Sequence, residues 1–116
     1  EHSSGMQASL AGRYARALFD LAQDGGSLAA VEASMARLGD ALASSAELKA
    51  LVTSPVVSRA DAARAIAGVS RELSLDALTA NFLGVLAKNR RLGKLGEVVR
   101  AFASMSIILI PAAMIP

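Results

Sequence analysis

Between Ser9 and Met105, apolar side chains recur at steps of three and four, and no run alternates as a strand would. Residues spaced this way share one face of an α-helix, because each residue turns the helix by about 100°. Leu28, Val31, Met35, Leu38 and Leu42 form an unbroken seam of this kind. Such seams bury themselves by packing helix on helix. A chain of 116 residues is long enough for one core and too short for two. Since 53% of it is apolar but only 3% aromatic, that core is built from Ala- and Leu-sized side chains. The expectation is an all-α, compact six-helix bundle.

Capping residues divide the seams. Helix one runs from Ala8 to Asp24, with Leu10, Tyr14, Leu18 and Leu21 as its core face, and stops at Gly25-Gly26. Helix two starts at the cap Ser27 and ends near Ser44, and helix three follows Ser45 and must stop before Pro55. Ser58, with Asp61 three residues on, resembles a capping box and opens helix four, where Ala62, Ile66 and Val69 point inward. Ser74 is the expected cap of helix five, with Asp76 in its first turn and Leu75, Leu78, Phe82, Val85 and Leu86 as its core face. Leu92, Leu95, Val98, Val99, Phe102 and Met105 make a sixth amphipathic helix.

Both ends depart from this pattern. Residues 1–5, EHSSG, stand directly before Met6 and read as the remnant of a trimmed affinity tag. Omitting Glu1 moves the formal charge from +2 to +3, a mild basic bias without a dense block. No signal peptide is visible after Met6, where Arg13 and Arg16 interrupt the apolar residues, so a cytoplasmic product is expected. Residues 106–116, SIILIPAAMIP, carry no charge, contain two prolines, and do not continue the helix pattern of the preceding residues. The segment is too short to cross a bilayer, which takes about 20 apolar residues. It is expected to be a non-native tail, the alternative being a membrane-associated or partner-packed extension.

The residues offer little for catalysis. There is no Cys, and the one His is His2, inside the tag-like leader. Thiolate nucleophiles, disulfides and Cys-based zinc sites are therefore excluded. The ten acidic residues are scattered at helix starts and polar faces rather than paired in an apolar cleft, and none stand at metal-ligand spacing. Gly25-Gly26 follows a helix instead of preceding one, so it is a C-terminal stop and not a phosphate loop. No catalytic, cofactor-binding or metal-binding residue is expected, and the chain is not read as an enzyme.

Two helices carry more apolar surface than one core face uses. On helix one, Ala11, Ala15, Phe19 and Ala22 fall beside the Leu10–Leu21 sector, with Arg13, Arg16 and Asp20 opposite. On helix five, Ala80, Leu83, Gly84 and Ala87 fall beside its core face, while Asn81 and Lys88 face water. Two spare stripes of mostly small residues would form a shallow groove for an amphipathic partner helix. The alternative is that Ala and Gly only permit tight crossings inside the bundle, and periodicity alone does not choose. The Asn89-Arg90-Arg91 cluster is equally double: it could anchor acidic partner residues, or only satisfy carbonyls at a helix end.

The segments RYARALFDLA at 13–22, LVTSPVVS at 51–58 and LTANFL at 78–83 through Asn89-Arg90-Arg91-Leu92 together resemble the delta subunit family of bacterial ATP synthase, equivalent to the mitochondrial oligomycin-sensitivity conferring protein. The resemblance covers about Ser9 to Met105, so residues 6–105 are assigned to that family's amino-terminal six-helix domain. It implies a non-catalytic stator subunit of a proton-translocating F-type ATP synthase at the cytoplasmic face of the bacterial inner membrane. It further implies that helices one and five hold the amino-terminal helix of an alpha subunit, linking the catalytic head to the peripheral stalk. Contact with the stalk b subunits would come from a carboxy-terminal domain that the charge-free tail replaces here. The implied partners do not include nucleic acid. A small basic helical DNA-binding module is the alternative, motivated by the +3 charge and the Arg90-Arg91 pair. A bundle that self-associates through its spare stripes is a third possibility.

Overall fold

The computed structural model describes residues 9–108; the expected tag remnant at 1–5 and residues 109–116 of the expected non-native tail lie outside them. Six α-helices and one short 3₁₀ turn make up the described chain, and no strand occurs among these residues. They are α1 (Leu10–Asp24), α2 (Leu28–Ser44), α3 (Ala46–Thr53), α4 (Arg59–Glu72), α5 (Ala77–Lys88) and α6 (Leu95–Ile108). The expected six-helix bundle is the observed fold.

Local chemistry sets most boundaries. Ser9, Ser45 and Ser58 each accept a hydrogen bond through Oγ from the N–H three residues on, satisfying a donor that the first helical turn leaves free. Ser54 takes an extended backbone (ψ 127°) before Pro55 and ends α3. Helix α1 closes as a Schellman motif: the Ser27 N–H donates to Ala22 C=O, the Gly26 N–H donates to Gln23 C=O, and Gly26 sits at φ 72°. Ser27 precedes α2 as expected, but its side chain makes no capping bond; its N–H already closes the motif before it, and its backbone (ψ 19°) is not extended.

Two more Schellman closures follow, and neither uses glycine. Ser74 (φ 55°) terminates α4, with Leu75 N–H donating to Ser70 C=O, and Arg90 (φ 57°) terminates α5, with Arg91 N–H donating to Leu86 C=O. This corrects the expected cap of α5. Ser74 is committed to ending the previous helix, and Asp76 caps α5, its carboxylate accepting from the Thr79 N–H and from the Thr79 hydroxyl. The expected sixth helix also differs at both ends. Leu92–Lys94 form the 3₁₀ turn, and α6 continues through Ser106 to Ile108, where the charge-free segment was expected to leave the pattern.

The core forms where the helices cross. Helix α1 packs most extensively on α6, α4 on α5, and α2 bridges α6 and α3. Phe102, Leu18, Leu38, Ile66, Leu83, Leu86 and Leu95 are the largest fully buried side chains. Phe19 of α1 meets Phe102 of α6 with ring centroids 5.6 Å apart. At Gly39 a Cβ would stand 3.2 Å from Val99 Cγ1, so a glycine is what lets α2 approach α6 this closely. Arg37 of α2 clasps the turn between α4 and α5: Nε donates to Leu73 C=O at 2.8 Å and Nη2 to Ser74 C=O at 2.9 Å. Beside it, the buried Ser34 Oγ accepts from the Asp76 N–H at 2.9 Å.

Candidate partner-binding surface

The small-residue stripe of α1 faces inward. Ala11, Ala15, Phe19 and Ala22 are all buried, Ala15 completely, and so are Leu83 and Ala87 of α5. Of the eight residues expected to line a groove, only Ala80 and Gly84 keep partial exposure. The physical reason lies in the α1–α6 crossing. Small side chains bring two helix axes close, and α6 needs that closeness for Phe102 to reach Phe19. The alternative of tight internal crossings therefore holds for the α1 stripe.

What remains outside is the sector first expected to be core. Leu21 is 58% exposed and Val85 46%, while Leu10, Tyr14 and Leu78 are half-buried. At 3.6 residues per turn, Leu10, Tyr14, Ala17 and Leu21 lie within about 60° of arc on α1. Leu78, Asn81 and Val85 lie within a similar arc on α5. Phe82 borders the second sector and fixes how the two meet: its ring stands edge-on to that of Tyr14, centroids 6.2 Å apart at 73°. The Tyr14 hydroxyl accepts from Asn89 Nδ2 at 3.1 Å. A furrow with apolar shoulders thus runs between α1 and α5, with Tyr14 at its seam. Leu18, Phe82 and Leu86, also expected in the core, are there.

Gly84 and Ala80 fall on the other shoulder of α5. A Cβ at Gly84 would meet nothing within 4 Å, so that side of the helix is open. Neither carbonyl-capping nor anchoring describes the whole Asn89-Arg90-Arg91 cluster: Asn89 holds Tyr14, Arg90 occupies the left-handed position, and the guanidinium that reaches the Lys88 C=O belongs to Arg59, at 3.5 Å. No described helix is long and apolar enough to cross a membrane.

A family model described as ATP synthase delta (OSCP) subunit matches residues 10–107. The chain belongs to that family. Its resemblance to the delta subunit, legible in three short segments, is thereby borne out. Curated delta subunits of Rhizorhabdus wittichii and Erythrobacter litoralis are each 53% identical to it, over 91% and 90% of this chain and 58% and 56% of theirs. The delta subunit of Zymomonas mobilis is 42% identical over 88% of this chain and 55% of its own. The chain thus spans little more than half the length of these relatives. Among solved structures, a chain of the Toxoplasma gondii mitochondrial ATP synthase hexamer, determined by cryo-EM, superposes with a TM-score of 0.75 at 35% identity, covering 81% of this chain and 52% of that one.

Proposed function

We propose that this delta-family chain is a non-catalytic stator subunit of a proton-translocating F-type ATP synthase, holding the amino-terminal helix of the alpha subunit in the furrow between α1 and α5. The observation that carries the reading is the exposed apolar sector around Tyr14, on the two helices that the family resemblance names. An amphipathic helix lying there would cover Leu21 and Val85, and each Leu-sized side chain it buries contributes roughly 1.5 to 3 kcal/mol before ordering costs. Rigid helices on a packed core suit a tether, because a static link between head and stalk must not yield. In this reading the subunit sits peripherally at the cytoplasmic face of the inner membrane. Contact with the b subunits belongs to a carboxy-terminal domain beyond the six helices.

The test is titration with a peptide matching the alpha subunit's amino-terminal helix. Leu21→Asp and Val85→Asp place a charge on each apolar shoulder, and each should weaken binding at least tenfold, about 1.4 kcal/mol, with little change in thermal midpoint. Gly84→Leu, on the other shoulder of α5, should leave binding intact. Loss with Gly84→Leu and none with Val85→Asp would return the docking face to the small-residue side of α5. Binding of a DNA duplex that weakens steeply as salt rises, with none of the peptide, would favour the DNA-binding alternative instead.

A further inference from the structure

The flank of α5 facing away from Tyr14 holds a second feature that the furrow does not use. A cleft of about 110 Å³ opens where the α3–α4 turn meets the end of α5, walled by Leu51, Val57, Ala62, Ala87 and Leu92. Arg59 and Arg90 also line it. Among the described residues no carboxylate pairs with either guanidinium; Asp61 is taken by Arg64, and Glu97 lies 3.9 Å from Lys94. Val56, beside the cleft in sequence, is 88% exposed, and Lys88 and Arg91 add exposed positive charge at the same helix end. A notch with aliphatic walls, edged by two guanidinium groups of which Arg59 reaches only the Lys88 carbonyl and neither meets a described carboxylate, matches one kind of visitor. At about 110 Å³ the cleft approaches the size of apolar cavities of about 150 Å³ that admit a benzene-sized group, enough for one aliphatic side chain.

We propose that this cleft is a second docking point, which takes an aliphatic side chain of a partner segment whose flanking carboxylates pair with Arg59 and Arg90. Charge complementarity selects the partner: guanidinium groups bind carboxylates as two-pronged donors, and near an apolar wall those bonds are less exposed to competing water. The backbone at Arg90 supplies a clean way to test it. Its φ of 57° is one that glycine adopts without strain, so Arg90→Gly removes the guanidinium while relaxing the chain. Loss of binding in an Arg90→Gly variant whose thermal midpoint is not lowered cannot be a folding defect.

The experiment follows backbone amide shifts of the whole chain by NMR during titration with the capped peptide Ac-Glu-Glu-Leu-Glu-Glu-NH2. The expected result is shifts centred on Ala62, Ala87, Arg90 and Leu92, at least fivefold weaker binding in Arg90→Gly and in Arg59→Met, and loss of the same shifts with Ac-Glu-Glu-Ala-Glu-Glu-NH2. Equal affinity in both variants, shifts centred on Tyr14 and Val85, or no shifts at all would overturn the proposal. So would tighter binding of a ten-residue oligothymidylate at the same amides, since that would make the cations a phosphate surface.

Discussion

Tyr14 and Asn89, separated by 75 positions, join the first helix to the end of the fifth through a single hydrogen bond, Nδ2 donating to the phenolic oxygen at 3.1 Å. The bond lies at the surface, so its net worth is at the low end of the usual range, about 0.5 kcal/mol. The ring beneath it does more, edge-on to Phe82. Tyr14→Phe and Asn89→Ala should each lower stability by no more than about 1 kcal/mol, and the double variant should cost less than their sum. Tyr14→Ala should cost more than Tyr14→Phe, because it removes the aromatic pair as well. Urea unfolding of the four variants checks the order, and additivity of the first two would mean that the bond is not formed in solution.

Small residues in this fold are not interchangeable. Ala15 is fully buried, so Ala15→Leu overpacks the core and should destabilise by about 1 to 3 kcal/mol. Gly84 has open space around its missing Cβ within a regular helix, so Gly84→Ala should stabilise by about 0.5 to 1 kcal/mol. Opposite signs in chemical denaturation are the expected outcome; a neutral Ala15→Leu would mean that α1 can lift from the core.

Asp76 makes the bundle sensitive to acid. Burial pushes its carboxyl up, but hydrogen bonds from the Thr79 and Ser34 hydroxyls and from the backbone N–H groups of Thr79 and Asp76 outweigh this and hold it below the ordinary 3.8. The unfolded chain then binds the proton more readily than the folded one, so the contribution is present above pH 3.8 and is lost as pH falls through the lower folded value. Asp76→Ala should cost about 1 kcal/mol or more at neutral pH by removing the cap. The gap between variant and parent should narrow in acid, and a gap of constant size across the range would show that the charge of Asp76 plays no part.

Ser74 holds a left-handed backbone, φ 55°, that costs a non-glycine residue roughly 1 kcal/mol or more. Its carbonyl, not its side chain, receives Arg37. Ser74→Gly should therefore raise the unfolding free energy by up to about 1 kcal/mol and leave the Arg37 clasp in place. A lower thermal midpoint would mean that flexibility gained by the unfolded chain exceeds the strain relieved.

Much of the architecture was legible because it is written in local chemistry. Gly26, Ser45, Ser58 and Pro55 each act within four residues of themselves, and the helices they bound are the observed ones. Ser74 misled because two helix ends compete for the same three residues, and the sequence does not say which end takes the serine. Of the stripes expected to be spare on the first and fifth helices, most residues are buried, and the exposed apolar residues lie on the neighbouring faces. On a wheel, Leu10, Tyr14 and Leu21 outweigh Ala11, Ala15 and Ala22 in hydrophobicity, so the larger residues look like the core. Closeness of packing decided otherwise, and that depends on α6, whose Phe102 needs the room. A run of Ala flanking Leu18 and Phe19 was the available signal.

The Arg37 clasp bears on how this molecule would respond to force. With Nε and Nη2 spread over two successive carbonyls of the α4–α5 turn, one guanidinium ties that turn to the middle of α2, 36 and 37 positions away. A sideways pull on α5 would then be shared with α2 across a short, stiff strut instead of stretching the turn alone. On that account a residue that never touches Tyr14 helps to brace the helix on the far side of the furrow.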